Sequence, residues 1–112
     1  MIDPRRFRMN VWYDNDEPWS ELAWAHDFPG TTGFSAGDVQ FCMQDACERC
    51  DAIKANPDKG VRDLDLLSAI ETALHDIGYA GSPHRGTFNV MGFLATPLTS
   101  GRLMPGHDIV LH

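Results

Sequence analysis

Cys47 and Cys50 stand as a Cys-x-x-Cys, with Cys42 five residues earlier. Two thiolates three residues apart on a helix can share a metal, and the five histidines elsewhere could complete a tetrahedral site. A structural zinc site usually offers a second close-spaced ligand pair, and this sequence has none. A redox Cys-x-x-Cys needs a helix N-terminus to lower its thiol pKa, whereas this pair falls well inside an expected helix. Cys42 and Cys50 also occupy the apolar stripe of that helix, where free cysteine behaves as a small hydrophobe. Three cysteines, all in one segment, argue against a disulfide framework. The cysteines read as reduced, buried thiols of a cytoplasmic protein.

Histidine precedes aspartate three times, at His26, His75 and His107. The stretch Ala73-Leu74-His75-Asp76-Ile77-Gly78 resembles the metal-binding core of the HD-type phosphohydrolases, over six residues of the chain. That resemblance implies an all-helical, metal-dependent enzyme with an earlier histidine and a later aspartate. His26 and Asp108 are the residues to nominate, and Tyr79 stands where the family often has lysine. A plainer account is available. Leu74 and Ile77 form a buried stripe that leaves His75 and Asp76 facing solvent, and a histidine near a helix C-terminus complements the helix dipole. The loop over residues 29–37 superficially suggests an anion cradle before a helix, but it has no lysine where a P-loop requires one. Asp38 adds negative charge there, so Ser35 reads as a helix cap rather than a nucleophile.

Charge gives the stronger signal. The net charge is −7, unevenly spread. Residues 14–76 hold fourteen acidic residues against four basic ones, a net of −10, while both ends are mildly basic. Direct binding to a phosphate backbone calls for clustered lysine and arginine, which the sequence does not show, so direct nucleic-acid binding is not expected. Neither is a membrane span: the longest apolar run, residues 90–95, has strand length. Residues 1–6 carry positive charge with no apolar stretch behind them, which does not read as a signal peptide.

The elements that would position these groups follow from periodicity. Residues 6–13 alternate, with Phe7, Met9, Val11 and Tyr13 on one side, and predict a half-buried strand. Asp16 and Pro18 predict the start of a short helix. Within it Trp19, Leu22, Ala23 and His26 share a face, and Trp24 lies off that face. From a cap at Ser35 and Asp38, a helix is expected to about residue 55, because Val39, Cys42, Met43, Ala46, Cys50 and Ile53 recur at steps of three and four. Asp63 or Asp65 opens a further helix with Leu67, Ile70, Leu74 and Ile77 inward, and Gly78 follows its end. From Gly86 the period becomes two, with Gly92 marking a bulge or close approach and Pro97 ending the strand. Residues 98–104 predict a weaker strand and 107–111 a terminal one. The fold class is α+β in a single domain over residues 1–112: three helices on one face of a mostly antiparallel sheet, in the order β-α-α-α-β-β-β.

On this reading the protein is a non-enzymatic inhibitor or adaptor that docks an acidic helical surface on a basic protein or nucleoprotein. Small acidic phage or mobile-element inhibitors, anti-CRISPR proteins among them, offer an analogy of size and charge. The expected contacts are Glu17, Glu21, Trp24, Asp45, Glu48 and Asp51, with Trp12 a further aromatic anchor. No cofactor or metal is expected. The alternative is an HD-like phosphohydrolase or metal-stabilised domain using His75 and Asp76, or Cys47 and Cys50. A homodimer joined through exposed aromatic and methionine side chains is the third reading.

Overall fold

A computed structural model of the protein describes residues 2–24, 33–82 and 86–112. Along them run a 3-10 turn at Pro4–Phe7, α1 (Ser20–Trp24), β1 (Gly33–Ala36) and β2 (Val39–Glu48). A second 3-10 turn at Asp51–Lys54, α2 (Leu66–Asp76), β3 (Val90–Pro97) and β4 (Ile109–Leu111) complete the order. The strands make one antiparallel sheet in the order β3-β2-β1-β4. This corrects the expected three-helix arrangement and its element order. The described residues hold two helices, and α1 is only five residues long.

The largest correction falls on residues 38–55, expected as a helix and found as a hairpin followed by the second 3-10 turn. Gly37 (φ +57) takes the first central position of the two-residue loop between β1 and β2, as a type II′ turn asks of glycine. Ala36 then pairs with Val39 and Phe34 with Phe41, whose rings stack 4.9 Å apart. Further along β2 the pairing with β3 slips. Met43 pairs with Ala95 and Asp45 with Leu94, which leaves Gln44 as an extra residue on β2. A bulge of this kind reverses the alternation of side chains beyond it. The buried positions thus become Val39, Met43 and Ala46, steps of four and three that imitate a helical stripe.

A second irregularity restores the register. Ala46 pairs with Phe93 and Glu48 with Val90, so β3 fits Met91 and Gly92 opposite the single residue Cys47. Gly92 has φ +79, the left-handed conformation that glycine adopts without strain. The bulge or close approach expected at Gly92 is both: a Cβ there would lie 2.5 Å from Met9 Cε.

α2 forms where the sequence places it, but Ile77, expected inward, lies just past its end and is 57% exposed, and Leu66 takes the buried place expected of Leu67. Asp65 caps its start, accepting from the Ser68 amide and hydroxyl, and Gly78 (φ +76) follows its end. Its buried face, Leu66, Ile70 and Leu74, closes a core with Met43, Val90 and Phe34 from the sheet. Met43, Leu74 and Val90 are fully buried, each contributing about 1.5–3 kcal/mol by leaving water. Residues 98–104, expected as a strand, have no regular structure, and the terminal strand is shorter than expected, at Ile109–Leu111. No helix among the described residues is long and apolar enough to cross a membrane.

Candidate functional site

The strand expected over residues 6–13 is an arm instead, beginning in the first 3-10 turn. Asp3 caps that turn through the Arg5 amide at 2.9 Å, and Pro4 opens it where a missing N–H costs nothing. Phe7 is buried, and Arg8 (φ 52) turns the chain in the left-handed conformation, out of the extended state that alternation implied. The helix expected from Asp16 is delayed to Ser20. Trp19 has φ +65, which no helix accommodates, and Asn15 organises the preceding turn by accepting from the Glu17 amide at 3.1 Å.

Arg49 holds this arm against β3. Its Nε donates to the Met91 carbonyl at 3.1 Å, its Nη1 to the Phe7 carbonyl at 3.0 Å, and its Nη2 approaches the Met9 sulfur at 2.7 Å. Glu21, from α1, accepts from the Gly92 amide at 3.2 Å. Between arm, α1 and β3 lies a cleft of about 400 Å³ whose walls include Phe7, Met9, Trp12, Trp19 and Met91. A second apolar cleft of about 400 Å³ shares Phe7, Trp12, Trp19 and Met91 and continues toward Leu66 and Ile70 of α2. Trp12 remains 52% exposed although its ring meets Phe7 edge-on at 6.4 Å, and Val11 beside it is 50% exposed. Burial, with the charge of Glu21 second, raises the Tyr13 phenol above its ordinary pKa.

The six expected contacts fall on several elements rather than along one helix. Glu17 and Glu21 line the cleft. Glu17 is exposed, whereas the Glu21 carboxylate is committed to Gly92. Trp24 ends α1, and its side chain falls outside the described residues. Asp45 and Glu48 are on β2, accepting respectively from the Ala46 amide at 2.8 Å and the Thr87 hydroxyl at 3.4 Å. Asp51 opens the second 3-10 turn and pairs with Lys54 at 3.1 Å. Asp45, Glu48 and Asp51 share no helix, because the helix that would have aligned them is the β2 strand and its sequel. The sequence did point to Trp12. Arg49 and Gly92, which build the cleft, gave no sign of their partners.

The cysteines are likewise dispersed. Cys42 and Cys47 are half-buried on β2, and Cys50, expected on an apolar helical stripe, is exposed ahead of the second 3-10 turn. His75 is exposed on the last turn of α2, its ring stacked on Phe88 at 4.0 Å, and Asp76 is the last helical residue. His107 packs over the hairpin loop, where a Cβ on Gly37 would collide with its ring, and Asp108 follows it ahead of β4. His26 and residues 29–32 of the supposed anion loop lie outside the described residues. Ser35 is in β1 and meets the His112 ring at 3.0 Å, so it caps no helix. Among the described residues no group of three His, Cys, Asp or Glu could hold a metal ion. No protein-family model matches the chain, and no curated protein is similar to it in sequence.

Proposed function

We propose that the protein is a non-enzymatic interaction module that takes an apolar side chain of a basic partner, protein or nucleoprotein, into the cleft between arm and β3. The observation that carries this reading is Trp12, an indole left half exposed beside a cleft walled by Phe7, Met9 and Met91. Aromatic and methionine side chains of this kind anchor interfaces, methionine because it adapts to the shape it meets. The charge of the rim supports a basic occupant. Asp14, Asp16 and Glu17 are exposed beside the cleft and pair with no cation among the described residues. The net charge of −7 would speed encounter with such a partner and favour a role as inhibitor or adaptor of a basic macromolecule.

A basic amphipathic peptide of alternating leucine and lysine tests the cleft. Binding should shift tryptophan emission to the blue and weaken as salt rises. The Trp12→Ala protein should lose most of the affinity and Glu17→Gln a smaller part, and an otherwise identical leucine–glutamate peptide should not bind. Equal affinity of wild type and Trp12→Ala for the basic peptide refutes this assignment. Capture from lysate then identifies the partner only if it depends on Trp12.

A further inference from the structure

Four of the seven arginines, Arg5, Arg6, Arg8 and Arg62, line a single cleft of about 750 Å³. It lies among the first 3-10 turn, the second 3-10 turn and the loop that closes on the bridge between Ala55 and Arg62. Three of these arginines come from the first eight residues and the fourth from more than fifty residues later, so the sequence did not show the cluster. The remaining walls include Ala52, Ala55 and Gly60, which are small enough to leave the guanidinium groups as the long side chains.

The four arginines are not equivalent. Arg5 is committed to Asp3 at 2.7 Å and Asp58 at 3.0 Å. Arg6 is 6% exposed; its Nη1 donates to the Lys54 carbonyl at 2.8 Å and its Nη2 pairs with Asp63 at 2.7 Å. Its Nε is buried with no acceptor among the described residues, so the donors of Arg6 are incompletely satisfied. Arg8 and Arg62 bond to no acceptor through their guanidinium groups among the described residues, and both are exposed at the cleft. Arg8 and Arg62 thus bring two unpaired guanidinium groups to one cleft, whereas Arg5 and Arg6 arrive there already paired with carboxylates.

We propose that this cleft binds the phosphate groups of a small anionic ligand, with Arg8 and Arg62 gripping them. Guanidinium presents paired donors at the spacing of phosphate oxygens, and such charge-assisted bonds are about twice as strong as neutral ones. Arg8 is pre-positioned: its left-handed backbone (φ 52) is fixed by its amide, which donates to the Arg5 carbonyl at 3.3 Å. This site is separate from the aromatic cleft and does not depend on the function proposed for it.

Titration calorimetry with inorganic pyrophosphate at low salt tests the proposal, because Arg8→Gln and Arg62→Gln remove no hydrogen bond or ion pair that these side chains make among the described residues. Thermal melts establish that both variants remain folded. Wild type should bind at one saturable site that weakens as salt rises, and each variant should lose about tenfold or more in affinity. Arg102→Gln, an exposed arginine outside the cleft, should bind like wild type. Adenosine diphosphate run in parallel distinguishes a site that reads phosphates alone, at equal affinity, from one that also holds a nucleoside, at higher affinity, and either result supports the site. Absence of saturable pyrophosphate binding overturns the proposal, as does equal binding by wild type and both cleft variants, or an Arg102→Gln loss as large as theirs.

Discussion

Arg49 holds Phe7 in two ways: Nη1 donates to the Phe7 carbonyl at 3.0 Å, and the guanidinium carbon lies 5.7 Å from the centre of the Phe7 ring. One side chain thereby fixes both the path of the arm and the wall of the aromatic cleft. The same guanidinium also reaches Met91, so the arm and the β3 bulge are tied through a single residue.

Arg49→Met should therefore loosen the arm while keeping much of the buried volume. Losing two bonds from a charged donor is expected to cost about 2–4 kcal/mol, read as a lower denaturation midpoint. Trp12 emission should move to the red at the same time, since Phe7 no longer holds the edge of its ring. A midpoint within error of wild type shows that the arm is held by packing instead.

Gly92→Ala meets two obstacles, the left-handed backbone and the Met9 methyl. The backbone part is expected to cost about 1–2 kcal/mol, and Met9 is flexible enough to relieve some of the rest. Combining Gly92→Ala with Met9→Ala separates the two. Stability recovered relative to the sum of the single variants measures the clash, and what is not recovered measures the backbone.

Acid should weaken the protein through Asp63 and Asp65. The Asn56 amide, and after it Arg6, hold the Asp63 carboxyl below the usual carboxylate range, and the Ser68 hydroxyl does the same for Asp65. Both folded-state pKa values thus lie below the unfolded ones. The stability they contribute is present above about pH 4 and is lost as pH falls through the folded values. Melts from about pH 6 to pH 2 should show a shallower acid decline for Asp63→Asn than for wild type. Superimposable slopes would mean that Asp63 adds no pH dependence.

Thiol labelling gives an independent check on the hairpin. Cys50 is exposed and Cys42 and Cys47 are half-buried, so a charged thiol reagent should modify Cys50 first and the two β2 cysteines more slowly. A helix with Cys42 and Cys50 on one buried stripe would have protected both together. Mass mapping of the first modified residue decides between the two.

The sequence was informative where local signals agreed with the tertiary fold. α2 combines a helical stripe, an aspartate cap and a glycine after its end, and all three point the same way. The first six residues carried a competing signal: Asp3 and Pro4 favour a capped turn, but the alternation from Arg6 onward suggested a strand for which the sheet has no place. β2 was misleading for a sharper reason. Gln44 is accommodated only because β3 lies alongside, and no reading of residues 38–55 alone contains that partner. The same applies to both clefts. Arg49 meets Phe7, and Arg62 joins Arg5, Arg6 and Arg8, through contacts between residues more than forty positions apart.

The two bulges also couple the lengths of β2 and β3. Gln44 adds one residue to β2, the Met91–Gly92 pair adds one to β3, and the pairing outside them returns to a single register. A deletion at Gln44 alone would shift one end of the sheet against the other and carry alternate side chains to the wrong face. A second deletion at Met91 or Gly92 would restore alignment at both ends. Along any lineage of this fold, gaps at these two places should be gained or lost as a pair, though they lie more than forty residues apart.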